Sequence, residues 1–136
     1  MKPLRIIFPA LLLPLLLTAC RNETSPTQFV ADDTVRLEIG GAAVFTYDES
    51  TCQLSFNGTR KVFRAFTDTM LDYFEVKLDA IPDRVGASTN ATVTWSTGSG
   101  ERTKENITLE AKSIKGDVIW LCDESRHTAA VVRVLE

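Results

Sequence analysis

The chain has 136 residues and a formal charge of −3, enough for one domain with one core and too few for two once a targeting segment is set aside. Nucleic acid is excluded as a partner, because its binding draws on clustered Lys and Arg, and the largest basic grouping, Arg60-Lys61 with Arg64, sits among apolar residues on one apparent strand. A single histidine, His127, and three cysteines restrict the catalytic and metal chemistry within reach.

In chain order, Lys2 and Arg5 precede an uncharged apolar run from Ile6 to Leu17, the layout of an export signal. The run is too short to span a bilayer, and Pro9 and Pro14 each remove a backbone donor from it. It closes on Leu17-Thr18-Ala19-Cys20, which matches each position of the bacterial lipobox, so the segment resembles the prolipoproteins processed by signal peptidase II. That resemblance implies cleavage after Ala19, a diacylglycerol thioether on Cys20 with an N-acyl chain such as palmitate, and hence the membrane as a partner reached through Cys20. At roughly 0.8 kcal/mol per buried methylene, two or three acyl chains hold a soluble domain to a bilayer almost permanently. An ordinary secretory signal cut after Ala19 is the competing reading.

Residues 1–19 are therefore read as a lipoprotein signal peptide, 20–28 as lipidated cysteine and tether, and 29–136 as a single all-β domain. Arg21 to Pro26 are polar and include Ser25-Pro26, as befits a tether. Arg21 is not the aspartate that retains such proteins at the inner membrane of well-studied Gram-negative bacteria. The expected location is the cell membrane by lipid anchor, with the outer membrane favoured where the host has one. Loss of Lys2 and Arg5 with the signal takes the formal charge from −3 to −5.

Period-two alternation then recurs in Val35–Ile39, Leu54–Phe56, Phe74–Ala80, Val93–Trp95 and Ile107–Ala111. Gly40-Gly41, Asn57-Gly58, Pro82-Asp83, Gly98-Ser99-Gly100 and Gly116-Asp117 separate the runs, and Asn57-Gly58 predicts a two-residue hairpin. Val118–Cys122 and Ala129–Leu135 are apolar on consecutive positions, which predicts a hairpin near the middle of the fold with both faces covered. Ser96 to Glu105 reads as a long hairpin tip, and Thr67 to Leu71 leaves room for one helical turn. No run has helical periodicity over ten or more residues. The predicted fold is all-β, an antiparallel β-sandwich or a small, partly open β-barrel of eight or nine short strands.

With Cys20 assigned to lipid, Cys52 and Cys122 remain in an exported compartment, where a disulfide between them would close a loop of roughly 70 residues and add on the order of 4 kcal/mol. Two unpaired buried thiols are the alternative. No metal site or cofactor is expected, since the two sulfurs lack neighbouring ligands. His127 would have to serve any triad as base, yet Ser125-Arg126-His127-Thr128 reads as a polar hairpin tip. Asp32-Asp33, Asp48-Glu49 and Asp123-Glu124 fall at strand boundaries, where turn formation explains them. The chain is therefore not expected to be an enzyme.

Trp95 shares the inward parity of Val93, and Trp120 that of Val118 and Cys122, so both are expected in the core. Tyr73 falls on the polar parity beside Glu75 and Lys77 and is the aromatic expected at the surface. Asn22, Asn57, Asn90 and Asn106 are each followed two positions later by Thr. In a bacterial export context that pattern reads as turn residues ahead of strands rather than as N-glycosylation. Asp33-Thr34-Val35 and Asp68-Thr69-Met70 are similar to the Asp-Ser/Thr-apolar motif for O-glycosylation in some Bacteroidota, which makes Thr34 and Thr69 candidate modification positions.

Asp72–Val76 through Pro82, Ala91–Trp95 and Gly116–Leu121 resemble small all-β lipoproteins of Bacteroidota. The resemblance brings no functional residues with it, and no ligand-binding residue is singled out. The expected function is a non-catalytic binding or accessory module at the cell envelope that recognises a protein or a glycan. The alternative is an envelope inhibitor of a hydrolase such as lysozyme.

Overall fold

The structure, a computed structural model, describes residues 34–135. They form nine strands: β1 (Arg36–Ile39), β2 (Ala42–Thr46), β3 (Cys52–Asn57), β4 (Val62–Thr67), β5 (Tyr73–Leu78), β6 (Ser88–Ser96), β7 (Thr103–Lys115), β8 (Val118–Asp123) and β9 (Thr128–Arg133). A single 3₁₀ turn, Glu124–Arg126, joins β8 to β9. All nine strands belong to one sheet in the order β2-β1-β9-β8-β7-β6-β5-β4-β3, and every neighbouring pair is antiparallel. The chain is thus all-β, and the sheet is a curled half-barrel rather than a pair of stacked sheets.

The curl is visible in the core. Phe45 on the edge strand β2 packs against Phe74 on β5, with ring centroids 5.8 Å apart, and Phe63 on β4 meets the same ring at 5.8 Å. A flat sheet would hold β2 and β5 six strands apart. Around this aromatic trio, Leu37, Val76, Val93, Leu109, Ala111, Leu121 and Ala130 are fully buried. Each large apolar side chain so removed from water contributes about 1.5–3 kcal/mol.

Direction alternates along the sheet, so the first and last of its nine members, β2 and β3, run the same way. They are consecutive in the chain and joined only by Tyr47–Thr51. That link is a tight turn in which Asp48 O accepts from Thr51 N (3.0 Å) and Cys52 N (2.8 Å). An antiparallel meander closes on itself only with an even strand count. Here the nine-strand count brings two strands of the same direction, β2 and β3, to the ends of the sheet, and they do not pair with each other.

Local chemistry explains where expectation and structure part. The β3–β4 connection is four residues, not two, because Asn57 pairs with Val62 and uses its side chain to accept from Arg60 N (3.0 Å). Lys61, not Asn57, takes the left-handed conformation (φ 55°). Thr67 to Leu71 form a turn rather than a helical one, with Met70 left-handed (φ 62°). The long β6–β7 tip shortens to Thr97–Arg102 because the ladder runs on to Trp95↔Thr103. A bulge between Ala111 and Ser113 resets the parity of β7, so that Ile114 faces inward after Ile107, Leu109 and Ala111.

As their consecutive apolar residues predict, β8 and β9 lie adjacent inside the sheet and are buried on both faces. On the outer face, Val118, Cys122, Ala129 and Val131 are nearly inaccessible, beside an Arg36–Glu38 ion pair of 2.6 Å on β1 whose members are each 8% exposed. The outer face of β6 and β7 is different in kind: Asn90, Asn106 and Thr108 are exposed.

Candidate functional site

The β6–β7 hairpin places its polar side chains by register. Asn90 lies opposite Thr108 and Thr92 opposite Asn106. Thr108 Oγ1 donates to Asn90 Oδ1 and Thr92 Oγ1 to Asn106 Oδ1, each at 2.9 Å. Two Asn-x-Thr triplets thereby become a square of four side chains tied by two cross-strand bonds, of the kind that supports a sheet surface. Each amide oxygen accepts one of these bonds, and the amide nitrogens carry donors left for solvent.

This square floors a shallow trough of about 490 Å³. One wall is Asp79, which follows β5 and whose N–H donates to Asn90 O at 2.9 Å. The other is the 3₁₀ turn. Asp123 Oδ1 caps that turn by accepting from Ser125 N (3.1 Å) and Ser125 Oγ (2.7 Å), which sets Arg126 over the trough. Arg126 is held loosely, 3.7 Å from Glu105 and 3.8 Å from Asp123, and its side chain is half exposed.

A second cluster lies on the outer face of β4 and β5. Arg64 Nε donates to Glu75 Oε2 at 2.7 Å and Tyr73 OH to the same oxygen at 3.0 Å. Tyr73 is on the outward parity, as its neighbours imply, but it is only 4% exposed. The Arg102 guanidinium lies 3.7 Å from its ring centroid, and Phe66 flanks it at 6.5 Å. Burial, reinforced by the Glu75 carboxylate, pushes the Tyr73 phenol above its ordinary value. The loop carrying Arg102 is fastened by Gly98 N–H to Asp72 Oδ1 (2.7 Å) and by Ser96 Oγ–H to Leu71 O (3.0 Å). Gly100 needs its positive φ of 81°, and a Cβ there would press to 3.2 Å from Leu71 Cδ2.

The expected Cys52–Cys122 disulfide is not formed; both thiols are free. Cys52 packs toward the core from β3, with Leu54 and Phe56. Cys122 alternates with the inward Ile119 and Leu121 and so faces outward, between Ala129 of β9 and Glu110 of β7. Two side chains on opposite faces of one sheet layer cannot bridge. Burial, with Glu124 nearby, pushes the Cys122 thiol up to about 11. Trp95 packs against the core as expected, whereas Trp120 is on the outer face of β8 and half-buried.

His127 is the left-handed cap of the 3₁₀ turn (φ 51°), half-buried rather than open, and its carbonyl accepts from Gly41 N at 2.8 Å. Its Nδ1 is buried with no hydrogen-bond partner among the described residues. Asp48 accepts from Ser50 N (2.9 Å) and Ser50 Oγ (2.7 Å), and these bonds hold its carboxyl below the ordinary range. Asp48 and Asp123 thus each fasten a turn. Among the described residues no cluster of three or more His, Cys, Asp or Glu is placed to hold a metal ion. Thr34 and Thr69 are both exposed. Cys20, Asp32 and Asp33 lie outside the described residues.

The trough has a signal in the sequence. Ser99, at the centre of Gly98-Ser99-Gly100, lies midway between Asn90 and Thr108 and also midway between Thr92 and Asn106. A symmetric hairpin about that turn pairs the triplets. No known protein family, curated protein or solved structure matches the chain.

Proposed function

We propose that the chain is a membrane-anchored bacterial lipoprotein whose all-β domain is a non-catalytic binding module at the cell envelope. The anchor reading rests on Leu17-Thr18-Ala19-Cys20 at the end of an apolar, Pro-interrupted run. The binding reading rests on the trough over β6 and β7, where side chains are both exposed and held by neighbouring bonds. Surfaces that are rigid before a ligand arrives lose less entropy on binding it. Of the titratable groups beside the trough, Asp123 caps a turn and Arg126 lies within ion-pair distance of two carboxylates. His127 Nδ1 has no hydrogen-bond partner among the described residues. The hydrolase-inhibitor alternative loses one of its supports with the disulfide. Arg21 favours the outer membrane, and exposed Thr34 and Thr69 are available for O-glycosylation.

Fractionation of cells carrying Cys20→Ala tests the anchor: the variant should leave the membrane fraction with its domain folded, and retention at the wild-type level contradicts the reading. A glycosidase, esterase and peptidase screen of the wild type tests the rest, since measurable turnover from the purified protein would make it an enzyme.

A further inference from the structure

We infer that the trough over β6 and β7 is a saccharide site, with Asn90 and Asn106 as its central donors. This rests on the binding-module reading and names its ligand.

The surrounding chemistry removes the other classes one at a time. An added peptide strand needs an open sheet edge, and β6 and β7 both have partners on each side. An apolar ligand would have to desolvate the Asn and Thr side chains that form the floor, at a cost no apolar contact there offsets. A phosphate polymer would meet the carboxylates of Asp79 and Asp123. What matches is a neutral group that donates and accepts from the same atoms. The floor supplies amide donors at Asn90 and Asn106, Asp79 supplies an acceptor at one wall, and Arg126 a charged donor at the other. Sugar hydroxyls do both, and vicinal pairs present them at the spacing that amide, carboxylate and guanidinium groups bind in bidentate fashion.

Two details fix the mode. Thr92 and Thr108 each tie one amide across the strands at 2.9 Å, so both amides stand in place at the floor with their remaining hydrogen-bonding groups toward solvent. Among the described residues no aromatic ring lines the trough, so the sugar is read by its hydroxyl edge and not by stacking on its face. Single-site affinity is accordingly weak. Many lipid-anchored copies facing one repetitive envelope polymer would raise it by effective concentration.

The test is an amide-resonance titration of the full-length lipidated protein in detergent micelles. Maltotriose, cellotriose, mannotriose and the N-acetylglucosamine trisaccharide are each added at millimolar concentration. At least one should shift the backbone and side-chain amides of Asn90 and Asn106 together with Thr92 and Thr108. The double variant Asn90→Ala/Asn106→Ala should weaken that sugar about tenfold, as for two neutral hydrogen bonds. Gln53→Ala, on the edge strand β3, should leave affinity unchanged and serves as the control. Silence with all four sugars, shifts confined to another surface, or wild-type affinity in the double variant would each overturn the site. Those failures leave anchoring untouched, whereas release of the wild type from membranes removes the anchored module and leaves sugar binding by the trough intact.

Discussion

Across β8, β9 and β1 the outward side chains Val118, Cys122, Ala129, Val131, Arg36 and Glu38 are at most 8% exposed and Trp120 is half-buried, whereas across β6 and β7 Asn90, Asn106 and Thr108 stand open. Both halves belong to one face of one sheet, and both are ordered, but by different means. On the first half, order comes from burial. On the second, it comes from two cross-strand hydrogen bonds between largely exposed side chains. The contrast shows how a small domain can keep a firm recognition surface in water: rigidity there is supplied by neighbouring side chains, and the hydrophobic contribution is concentrated elsewhere.

The largest effect should come from placing the same charge on each half. Val131→Asp puts a carboxylate at a site with no exposure and should cost about 4 kcal/mol or more, enough to unfold a marginal domain. Thr108→Asp, on the exposed square, should cost less than about 1 kcal/mol. Urea titrations of the two variants compare them directly, and equal losses would erase the distinction between the halves.

Next come the two ion pairs. Glu38→Ala removes the 2.6 Å contact to Arg36 within a buried pair and should cost about 3 kcal/mol. Glu75→Ala removes the 2.7 Å contact to Arg64, whose side chain is 39% exposed, and should cost about 1 kcal/mol. Thermal melts would show the gap, and a reversed order would mean that accessibility does not set the worth of these pairs.

A smaller effect separates the halves by pH. The unfolded thiol of Cys122 releases its proton near 9.0, and burial in the fold raises that to about 11. The folded state therefore holds the proton more tightly. Its contribution is intact below pH 9 and is lost as pH rises toward 11, by on the order of 2 kcal/mol. Cys122→Ala should flatten that part of the stability–pH curve, and an unchanged slope in the variant would assign the loss to other groups.

Much of the buried half was legible in the sequence, and the reason is local. Val118–Cys122 and Ala129–Val132 are apolar at every position, a pattern that fits short strands covered on both faces. The same uniformity hides which residues face inward, so the outward placement of Cys122 and Trp120, and with it the missing disulfide, could not be read. Tyr73 shows the opposite case. Its outward parity was legible from Glu75 and Lys77, but its cover comes from Arg102 on a loop in a different hairpin, a contact no local pattern encodes. The Asn/Thr square lay between these extremes. Its members and its turn were visible, and only the register about Ser99 joins them.

The most direct test is mass spectrometry of the N-terminal peptide of the wild-type protein extracted from membranes. An anchored binding module requires that peptide to begin at Cys20 and to carry a thioether-linked diacylglycerol. A peptide that begins elsewhere, or an unmodified Cys20, would contradict the account.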